Sequence, residues 1–277
     1  MKTIEVFTFL TSNSADYAEL LRESMEKLKS GNNTILYRCI ESVGCERLPR
    51  GWDCVASLKN NLGHNCLNHA NAIHEAIKNV KYSHVLFVDA DMCILHKDWD
   101  TILCNELYKC KIWGTAFGDN SLQYNKFPNV FFFAFKSDIL KMVALDFNPK
   151  LQDGQESPVR SKIKDARDAR YFNKNIGDVI KCDTGWRLPL IAGRYSIKYS
   201  YMPRVLGNEK GSQLPYVDNN QKVFCLQKPD HMAEWHYNGK LYCTHKQASR
   251  NHPLNGEWGS VWKNRIDLYL NKEHGIV

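Results

Sequence analysis

The fold and the function are indicated most strongly by one stretch, His84-Val85-Leu86-Phe87-Val88-Asp89-Ala90-Asp91-Met92-Cys93-Ile94-Leu95. An apolar run with the composition of a β-strand ends at two aspartates that are one residue apart, and apolar residues follow directly. Because residues i and i+2 of an extended chain point to the same side, Asp89 and Asp91 are predicted to converge just past a buried strand. The alternative is that they are ordinary turn residues that end the strand.

Two carboxylates held together at a strand end repel each other unless a cation joins them. Carboxylate oxygens favour Mg²⁺ or Mn²⁺, and these ions commonly complete their coordination with water and substrate phosphates. Asp89 and Asp91 therefore predict a site that holds a metal ion together with a diphosphate. Their place past a buried strand favours this hypothesis over the plain turn, because α/β folds bind ligands at strand ends.

The order of predicted elements favours an α/β fold. We predict strands at residues 3–10, 34–40, 84–88, 113–117 and 129–135, and helices from Asp16 and over residues 65–80. A capping-box pattern, Asp16 with Glu19 three residues later, marks the start of the first helix. Residues 42–63 are predicted to be irregular. This alternation predicts a mostly parallel central sheet flanked by helices, in a single large domain.

The composition is that of an ordinary globular protein, with 43% hydrophobic and 24% charged residues among 277. The apolar run at the N-terminus is interrupted by Glu5 and is too short for a signal peptide, and no run approaches the length of a membrane span. None of the ten cysteines forms a Cys-x-x-Cys pair, which argues against a structural zinc site and favours reduced thiols. These features predict a cytoplasmic protein.

The net charge of +7 favours anionic partners. Basic residues are concentrated between residues 158 and 174, where six lysines and arginines accompany two aspartates. A solvated helix face or a loop explains such a cluster. The functional alternative is that the cluster binds phosphate groups, either those of a donor or those of a polyanionic acceptor.

A buried strand that ends in Asp-x-Asp, about a third of the way along an α/β chain, resembles the metal-binding motif of GT-A-fold glycosyltransferases. The resemblance implies a GT-A-like, Rossmann-like domain in which residues 1–95 bind the nucleotide-sugar and residues 96–277 face the acceptor, with one shared core. It also implies transfer of a hexose or pentose from a UDP- or GDP-linked donor to a hydroxyl acceptor, with Mn²⁺ or Mg²⁺ as cofactor.

In the acceptor-facing part, Asp183 resembles the catalytic base of inverting GT-A enzymes. It lies in the stretch Cys182-Asp183-Thr184-Gly185-Trp186-Arg187-Leu188. A hydroxyl acceptor must lose its proton as it attacks the anomeric carbon, and a carboxylate within hydrogen-bond reach can accept that proton. The alternative is that Asp183 only caps a helix. Trp186 and Arg187 are the predicted acceptor contacts, although a tryptophan in such a position is more often part of the core.

Near the C-terminus, a strand-like run over residues 241–244 leads to His245, and Lys246 and Arg250 follow. This order resembles the C-terminal part of GT-A enzymes, in which a histidine completes the metal site. The resemblance implies that His245 is a third metal ligand and that Lys246 and Arg250 contact the leaving diphosphate. The other histidines, His69 among them, show no ligand spacing.

Two further residues are predicted to contact the donor beside Asp89. Thr8 lies at the carboxyl end of the first predicted strand, where α/β folds bind ligands. Asn68 lies ahead of the strand that ends in Asp89 and Asp91, within Asn68-His69-Ala70-Asn71. The family has an Arg-Asn pair at this place, so the assignment of Asn68 departs from the family pattern.

Other classes fit the sequence less well. A haloacid-dehalogenase-like phosphatase opens its domain with Asp-x-Asp, whereas two predicted strands come first here. A sugar-nucleotide pyrophosphorylase needs a glycine-rich N-terminal loop, and residues 8–14 contain no glycine. A non-catalytic glycan- or nucleic-acid-binding module leaves the two acids without a role. The acceptor stays open between a glycan, a lipid-linked precursor and, as for some viral enzymes, hydroxymethylated bases of DNA. No oligomeric state is predicted.

Overall fold

The computed structural model describes residues 1–62, 65–116, 126–151, 180–182, 184–206, 213–214, 232–246 and 253–275. The strands are β1 (Thr3–Leu10), β2 (Thr34–Glu41), β3 (Asp53–Ser57), β4 (His84–Val88), β5 (Met92–Ile94), β6 (Ile112–Thr115), β7 (Phe132–Lys136), β8 (Lys150–Leu151), β9 (Ile180–Cys182), β10 (Tyr199–Met202), β11 (Arg204–Leu206), β12 (Met232–Tyr237) and β13 (Lys240–Lys246). The α-helices are α1 (Ser14–Leu28), α2 (Asn65–Lys78), α3 (Trp99–Lys109), α4 (Leu188–Arg194) and α5 (Glu257–His274), and a 3₁₀ helix spans Ser137–Lys141.

The central sheet has seven strands in the order β10-β6-β7-β4-β1-β2-β3. β1 pairs in parallel with β2 on one side and with β4 on the other, so that Val6 lies beside both Tyr37 and Leu86. β3 extends the parallel run beyond β2, and β6 and β10 are parallel to each other. β7 is antiparallel to both of its neighbours, β4 and β6. The predicted α/β fold with a mostly parallel central sheet is confirmed.

Helices cover both faces of this sheet, which explains why β4 is buried along its whole length. One hydrophobic core joins α1 and α3 to Leu86 and Val88 of β4. A second core, on the opposite face, joins α2 to Val85 and Phe87. Alternate residues of one strand therefore serve opposite cores, as the period of two in a β-strand requires.

A second sheet, with four strands in the order β11-β12-β13-β5, brings the C-terminal part of the chain back to the end of β4. The short strand β5 follows directly after Asp91 and pairs in antiparallel fashion with β13. In this register Met92 lies opposite His245. His245 is thereby placed beside the turn that carries Asp91, although the two residues are 154 positions apart in the chain.

The start of α1 differs from the prediction. The helix begins at Ser14 rather than at Asp16. The Ser14 hydroxyl donates to the carbonyl oxygen of Thr11 at 2.6 Å and accepts from its N–H at 2.7 Å. Asp16 and Glu19, the predicted capping box, form ion pairs with Arg47. The predicted box is wrong because Arg47, a distant cation, attracts both carboxylates and a local serine ties the first turn to Thr11.

The stretch 42–63 was predicted to be irregular, and this was wrong for its central part, which forms β3 at the edge of the sheet. Burial along β3 does not alternate, so the sequence carries no period of two there. The strand is instead defined by its pairing with β2. Among the described residues, no helix is both long and apolar enough to cross a membrane.

Candidate metal and donor site

Backbone hydrogen bonds fix the turn that follows β4. The N–H of Asp89 donates to the carbonyl oxygen of Phe131 at 3.0 Å. The N–H of Met92 donates to the carbonyl oxygen of Asp89 at 3.1 Å, and the N–H of Lys246 donates to that of Asp91 at 2.9 Å. The turn is therefore tied both to itself and to the two elements beside it. Both carboxylates are held at the carboxyl edge of the sheet, where ligands of α/β folds bind.

Asp91 is paired with His245. Nε2 of His245 lies 3.0 Å from Oδ1 of Asp91, and the two side chains are 4% and 12% exposed. The imidazole also packs against Phe131, with ring centroids 4.4 Å apart. Its Nδ1 is buried without a hydrogen-bond partner among the described residues. Packing and the contact with Asp91 therefore set the orientation of the ring.

Asp89 completes a cluster with this pair. One ligand atom each from Asp89, Asp91 and His245 lie within 4.8 Å of one another. Two carboxylate oxygens and an imidazole nitrogen are ligands that suit Mn²⁺, and a divalent cation would offset the repulsion between the carboxylates. The structure thus brings together the three residues predicted as metal ligands, and their chemistry fits the predicted ion.

Two more ionisable side chains are buried around Asp91. Lys246, the last residue of β13, is fully buried. Burial lowers the pKa of its ammonium group, and the negative charge of Asp91 opposes this shift. Tyr17 of α1 is fully buried as well, and burial raises the pKa of its phenol, with Asp91 adding to the effect. In such a poorly hydrated place, charges interact more strongly than they do at the surface.

His69 is a candidate site residue that the sequence analysis missed. It lies near the start of α2, and its Nε2 is 3.3 Å from Oδ1 of Asp89. Spacing along the chain gives no sign of this contact. The direction of α2 indicates the contact, because a helix that connects two parallel strands begins at the edge of the sheet where the strands end. A polar residue in the first turns of such a helix therefore lies near the edge of the sheet at which α/β folds bind ligands.

The predicted donor contacts Thr8 and Asn68 have different surroundings. Thr8 is fully buried in β1, and its hydroxyl has no hydrogen-bond partner among the described residues. The Asn68 side chain accepts from the N–H of Leu62 at 2.8 Å and donates to Oδ1 of Asn61 at 3.2 Å. Asn68 thus ties α2 to the preceding loop. A donor role for either residue stays a prediction.

The predicted acceptor contacts, Trp186 and Arg187, are buried just before α4. Trp186 is 1% exposed and Arg187 is 6% exposed. The guanidinium forms an ion pair with Asp146 and lies over the indole ring, 4.9 Å from its centroid. The indole is therefore buried in this conformation, and an acceptor role for Trp186 or Arg187 stays a prediction. Asp183, Arg250 and the basic cluster between residues 158 and 174 lie outside the described residues.

Comparisons with known proteins find structural likeness alone: no family model matches the chain, and no curated protein matches it. The mannosyltransferase PcManGT from Pyrobaculum calidifontis, in complex with GDP-Man and Mn²⁺, aligns at 13% identity and a TM-score of 0.44. That alignment covers 72% of this chain and 54% of the other. A putative nucleotide-diphospho-sugar transferase from Desulfovibrio desulfuricans aligns at 10% identity and a TM-score of 0.42, over 97% and 99% of the two chains.

A third structure is an active-site mutant of LgtC, at 11% identity and a TM-score of 0.37, with 50% of this chain and 60% of the other covered. The chain therefore spans little more than half of the PcManGT and LgtC chains. All three TM-scores lie below 0.5, so these likenesses do not assign a function.

Proposed function

We propose that this protein is a metal-dependent glycosyltransferase that transfers a sugar from a UDP- or GDP-linked donor to a hydroxyl acceptor. The observation that carries the proposal is the convergence of Asp89, Asp91 and His245, with ligand atoms within 4.8 Å of one another. A site of this kind leaves coordination positions for phosphate oxygens. It lies at the carboxyl edge of a mostly parallel sheet, which is where nucleotide ligands bind in α/β folds.

Each charged group at the site has a role in this reaction. Asp89, Asp91 and His245 hold Mn²⁺ or Mg²⁺, and the bound ion supplies charge neutralisation to the departing diphosphate. Lys246 adds a positive charge from the buried side, next to Asp91. Arg250 is proposed to contact the same diphosphate, four positions after Lys246 in the chain. Donor binding is assigned to residues 1–95, with Thr8 and Asn68 as further contacts.

A donor panel tests the proposal most simply. The protein is incubated with UDP- and GDP-sugars and Mn²⁺, with water in place of the acceptor, and the release of UDP or GDP by hydrolysis of the donor is measured. We expect turnover with one class of donor, its loss in EDTA and its recovery when Mn²⁺ is added back. Asp91→Asn should lose this turnover, and Asp138→Asn is its matched control, because Asp138 is an exposed acid that pairs with Lys111. Release that persists in EDTA contradicts the metal dependence, and no release from any donor contradicts the transferase.

Asp183 is the proposed general base, and the transfer is then inverting. Asp183→Asn should lower kcat by roughly two to four orders of magnitude, because the acceptor hydroxyl keeps its proton, while the affinity for the donor stays unchanged. NMR of the product gives the anomeric configuration of the new linkage. Retention of configuration would remove Asp183 from this role.

The proposed acceptor is a glycan or a lipid-linked precursor. It is proposed to bind to the part of the chain formed by residues 96–277. DNA is a second candidate, favoured by the net charge of +7 and by the basic residues between 158 and 174. Binding to DNA phosphates releases counterions, so affinity for a duplex should fall steeply with salt. Fluorescence anisotropy with duplex DNA at two salt concentrations separates the two acceptors. Micromolar, salt-sensitive binding favours DNA, and no binding at low salt excludes it.

A further inference from the structure

The two acidic side chains of the site each face an imidazole, but the two pairs differ in depth. Asp91 and His245 are almost completely buried, with side chains 12% and 4% exposed. Asp89 and His69 lie further out, with side chains 18% and 22% exposed. His245 belongs to the cluster of ligand atoms that lie within 4.8 Å of one another, and His69 does not. His69 therefore lies beside the cluster and is not one of its three members.

The position of His69 is fixed from two sides. It lies in α2, whose Ala70 and Ile73 are fully buried in the core. Its ring also meets Phe9 of β1 edge to face, with centroids 5.2 Å apart. An imidazole held in this way presents Nε2 at a fixed point, 3.3 Å from Oδ1 of Asp89. No other ion pair of Asp89 is found among the described residues.

We propose that His69 is a positioning residue, which holds the Asp89 carboxylate through Oδ1 so that its second oxygen stays available to a divalent cation. The inference rests on the proposed metal site and adds to it a residue that does not touch the metal. An imidazole nitrogen held 3.3 Å from Oδ1 limits the positions that the carboxylate can take, which lowers the entropic cost of binding the ion. Mutation of a group that orients a metal ligand in this way commonly weakens metal affinity by about 10- to 100-fold.

Two polar substitutions distinguish this role from simple packing. In His69→Gln, the side-chain amide nitrogen reaches about as far as Nε2 of the imidazole and can lie beside the Asp89 carboxylate in its place. In His69→Asn, the amide is one methylene shorter and cannot reach the carboxylate. Both replacements are polar and smaller than histidine, so their effects on folding should be alike. A third variant, His69→Phe, keeps the ring against Phe9 and removes the nitrogen that faces Asp89.

His74 provides a matched control on the same helix. Its Nε2 accepts a hydrogen bond from the N–H of Phe147 at 3.1 Å, and its ring packs against Phe147. His74→Phe removes this hydrogen bond and should destabilise the protein. It should leave the metal affinity unchanged, because the contact lies on Phe147 and not on Asp89. This variant therefore shows what a loss of stability alone does to the measurement.

The test is a titration with Mn²⁺, with and without saturating UDP or GDP, in which unbound ion is counted from its electron paramagnetic resonance signal. A titration of nucleotide without protein serves as the blank, and circular dichroism checks the fold of each variant. We expect the Kd for Mn²⁺ to rise about tenfold or more in His69→Phe and His69→Asn. It should stay within about threefold of the parent in His69→Gln and His74→Phe.

The outcomes separate this inference from the proposed function. If His69→Phe and His69→Asn bind Mn²⁺ as tightly as the parent, His69 does not position Asp89, and the metal site stands. If His69→Gln is weakened as much as His69→Asn, the role is packing and the inference is wrong. If the parent itself binds no Mn²⁺ under either condition, the proposed metal site fails, and the role of His69 fails with it.

Discussion

Two buried aspartates, Asp100 at the start of α3 and Asp91 in the turn after β4, have opposite surroundings. Asp100 of α3 is fully buried and accepts three hydrogen bonds. Its Oδ1 accepts from the N–H of Ser30 at 2.7 Å, and its Oδ2 accepts from the Ser30 hydroxyl at 2.7 Å and from the Asn33 amide at 2.8 Å. Asp91 is 8% exposed and shares its surroundings with a second carboxylate.

The difference separates a structural acid from a candidate functional one. Hydrogen bonds to its ionised form and the positive end of α3 stabilise the Asp100 carboxylate, so it needs no further partner. Asp91 and Asp89 bring two carboxylates together, and burial lowers the pKa of the Lys246 ammonium group beside Asp91. The cost of this arrangement is explained if a divalent cation binds there. The comparison predicts that the two aspartates respond differently to the same substitution.

The largest expected effect is that of Asp91→Asn on metal binding. Loss of the ligand charge should weaken Mn²⁺ affinity by at least about 100-fold, because weaker perturbations around metal sites already cost about 10- to 100-fold. The free energy of unfolding without metal should change by less than about 1 kcal/mol, because the new amide oxygen still accepts from His245 and a like-charge repulsion is lost. Calorimetric titration and urea unfolding measure the two quantities. Unchanged Mn²⁺ affinity would show that Asp91 is not a ligand.

His84, at the opposite end of β4, is a buried imidazole like His245. It has two cations nearby, Lys136 and Lys2, where His245 has the carboxylate of Asp91. Burial, with Lys136 and Lys2 adding to it, lowers the pKa of His84 from 6.5 to about 4. Between these values the unfolded chain binds a proton that the folded chain does not, so stability falls as the pH drops from 6.5 towards 4. The loss attributable to His84 is about 3 kcal/mol.

His84→Gln removes this group from the titration. Urea unfolding at about pH 7 and about pH 4 should therefore show a pH-dependent loss that is about 3 kcal/mol smaller in the variant than in the parent. The difference should be largest near the lower pH and vanish near the higher one, where the imidazole is neutral in both states. Parallel pH profiles for the two proteins would mean that His84 does not contribute to acid sensitivity.

Asp100→Asn is the counterpart of the Asp91 substitution. One oxygen becomes an amide group that faces donors from Ser30 or Asn33, so hydrogen bonds to a charged acceptor are lost. We expect the free energy of unfolding to fall by about 2 kcal/mol while the Kd for Mn²⁺ stays the same. The same two measurements as for Asp91→Asn apply. If Asp100→Asn weakens Mn²⁺ binding as much, the division between structural and functional aspartates does not hold.

The smallest effect is expected at the other end of α3. Glu106 is a buried acid whose carboxylate, like that of Asp100, accepts hydrogen bonds. Its Oε1 accepts from the Lys109 ammonium group at 2.6 Å and from the Tyr237 hydroxyl at 2.8 Å. Tyr237→Phe removes one of these hydrogen bonds and leaves the ion pair, so the free energy of unfolding should fall by about 1 kcal/mol. Mn²⁺ affinity should not change. A loss well above this value would mean that the hydroxyl, rather than Lys109, is the main partner of Glu106.

The sequence was sufficient for the five inner strands of the central sheet and for the convergence of Asp89 and Asp91. The buried strand over residues 84–88 and the alternation of elements are local patterns, and burial of β4 on both faces follows from them. Asp89 and Asp91 could be predicted because a spacing of two fixes their direction in an extended chain. His245 was found from the order of motifs along the chain, since no spacing connects it to Asp91.

The rest depends on contacts between distant parts of the chain. His69 reaches Asp89 because α2 begins at the edge of the sheet, a property of the topology and not of spacing. β3 is a strand because β2 offers an edge to pair with, and its own sequence shows no alternation. For Trp186 the sequence left two interpretations open, an acceptor contact or a core residue, and its burial depends on packing between distant parts of the chain.

The most direct test of the metal site is anomalous diffraction from crystals grown with Mn²⁺ and either UDP or GDP. We predict an anomalous peak among Asp89, Asp91 and His245, with phosphate oxygens next to it, and no such peak in crystals of Asp91→Asn grown the same way. His69 should lie next to Asp89 and outside the coordination sphere. A well-diffracting crystal at saturating Mn²⁺ with no peak among these three residues would contradict the proposed metal site.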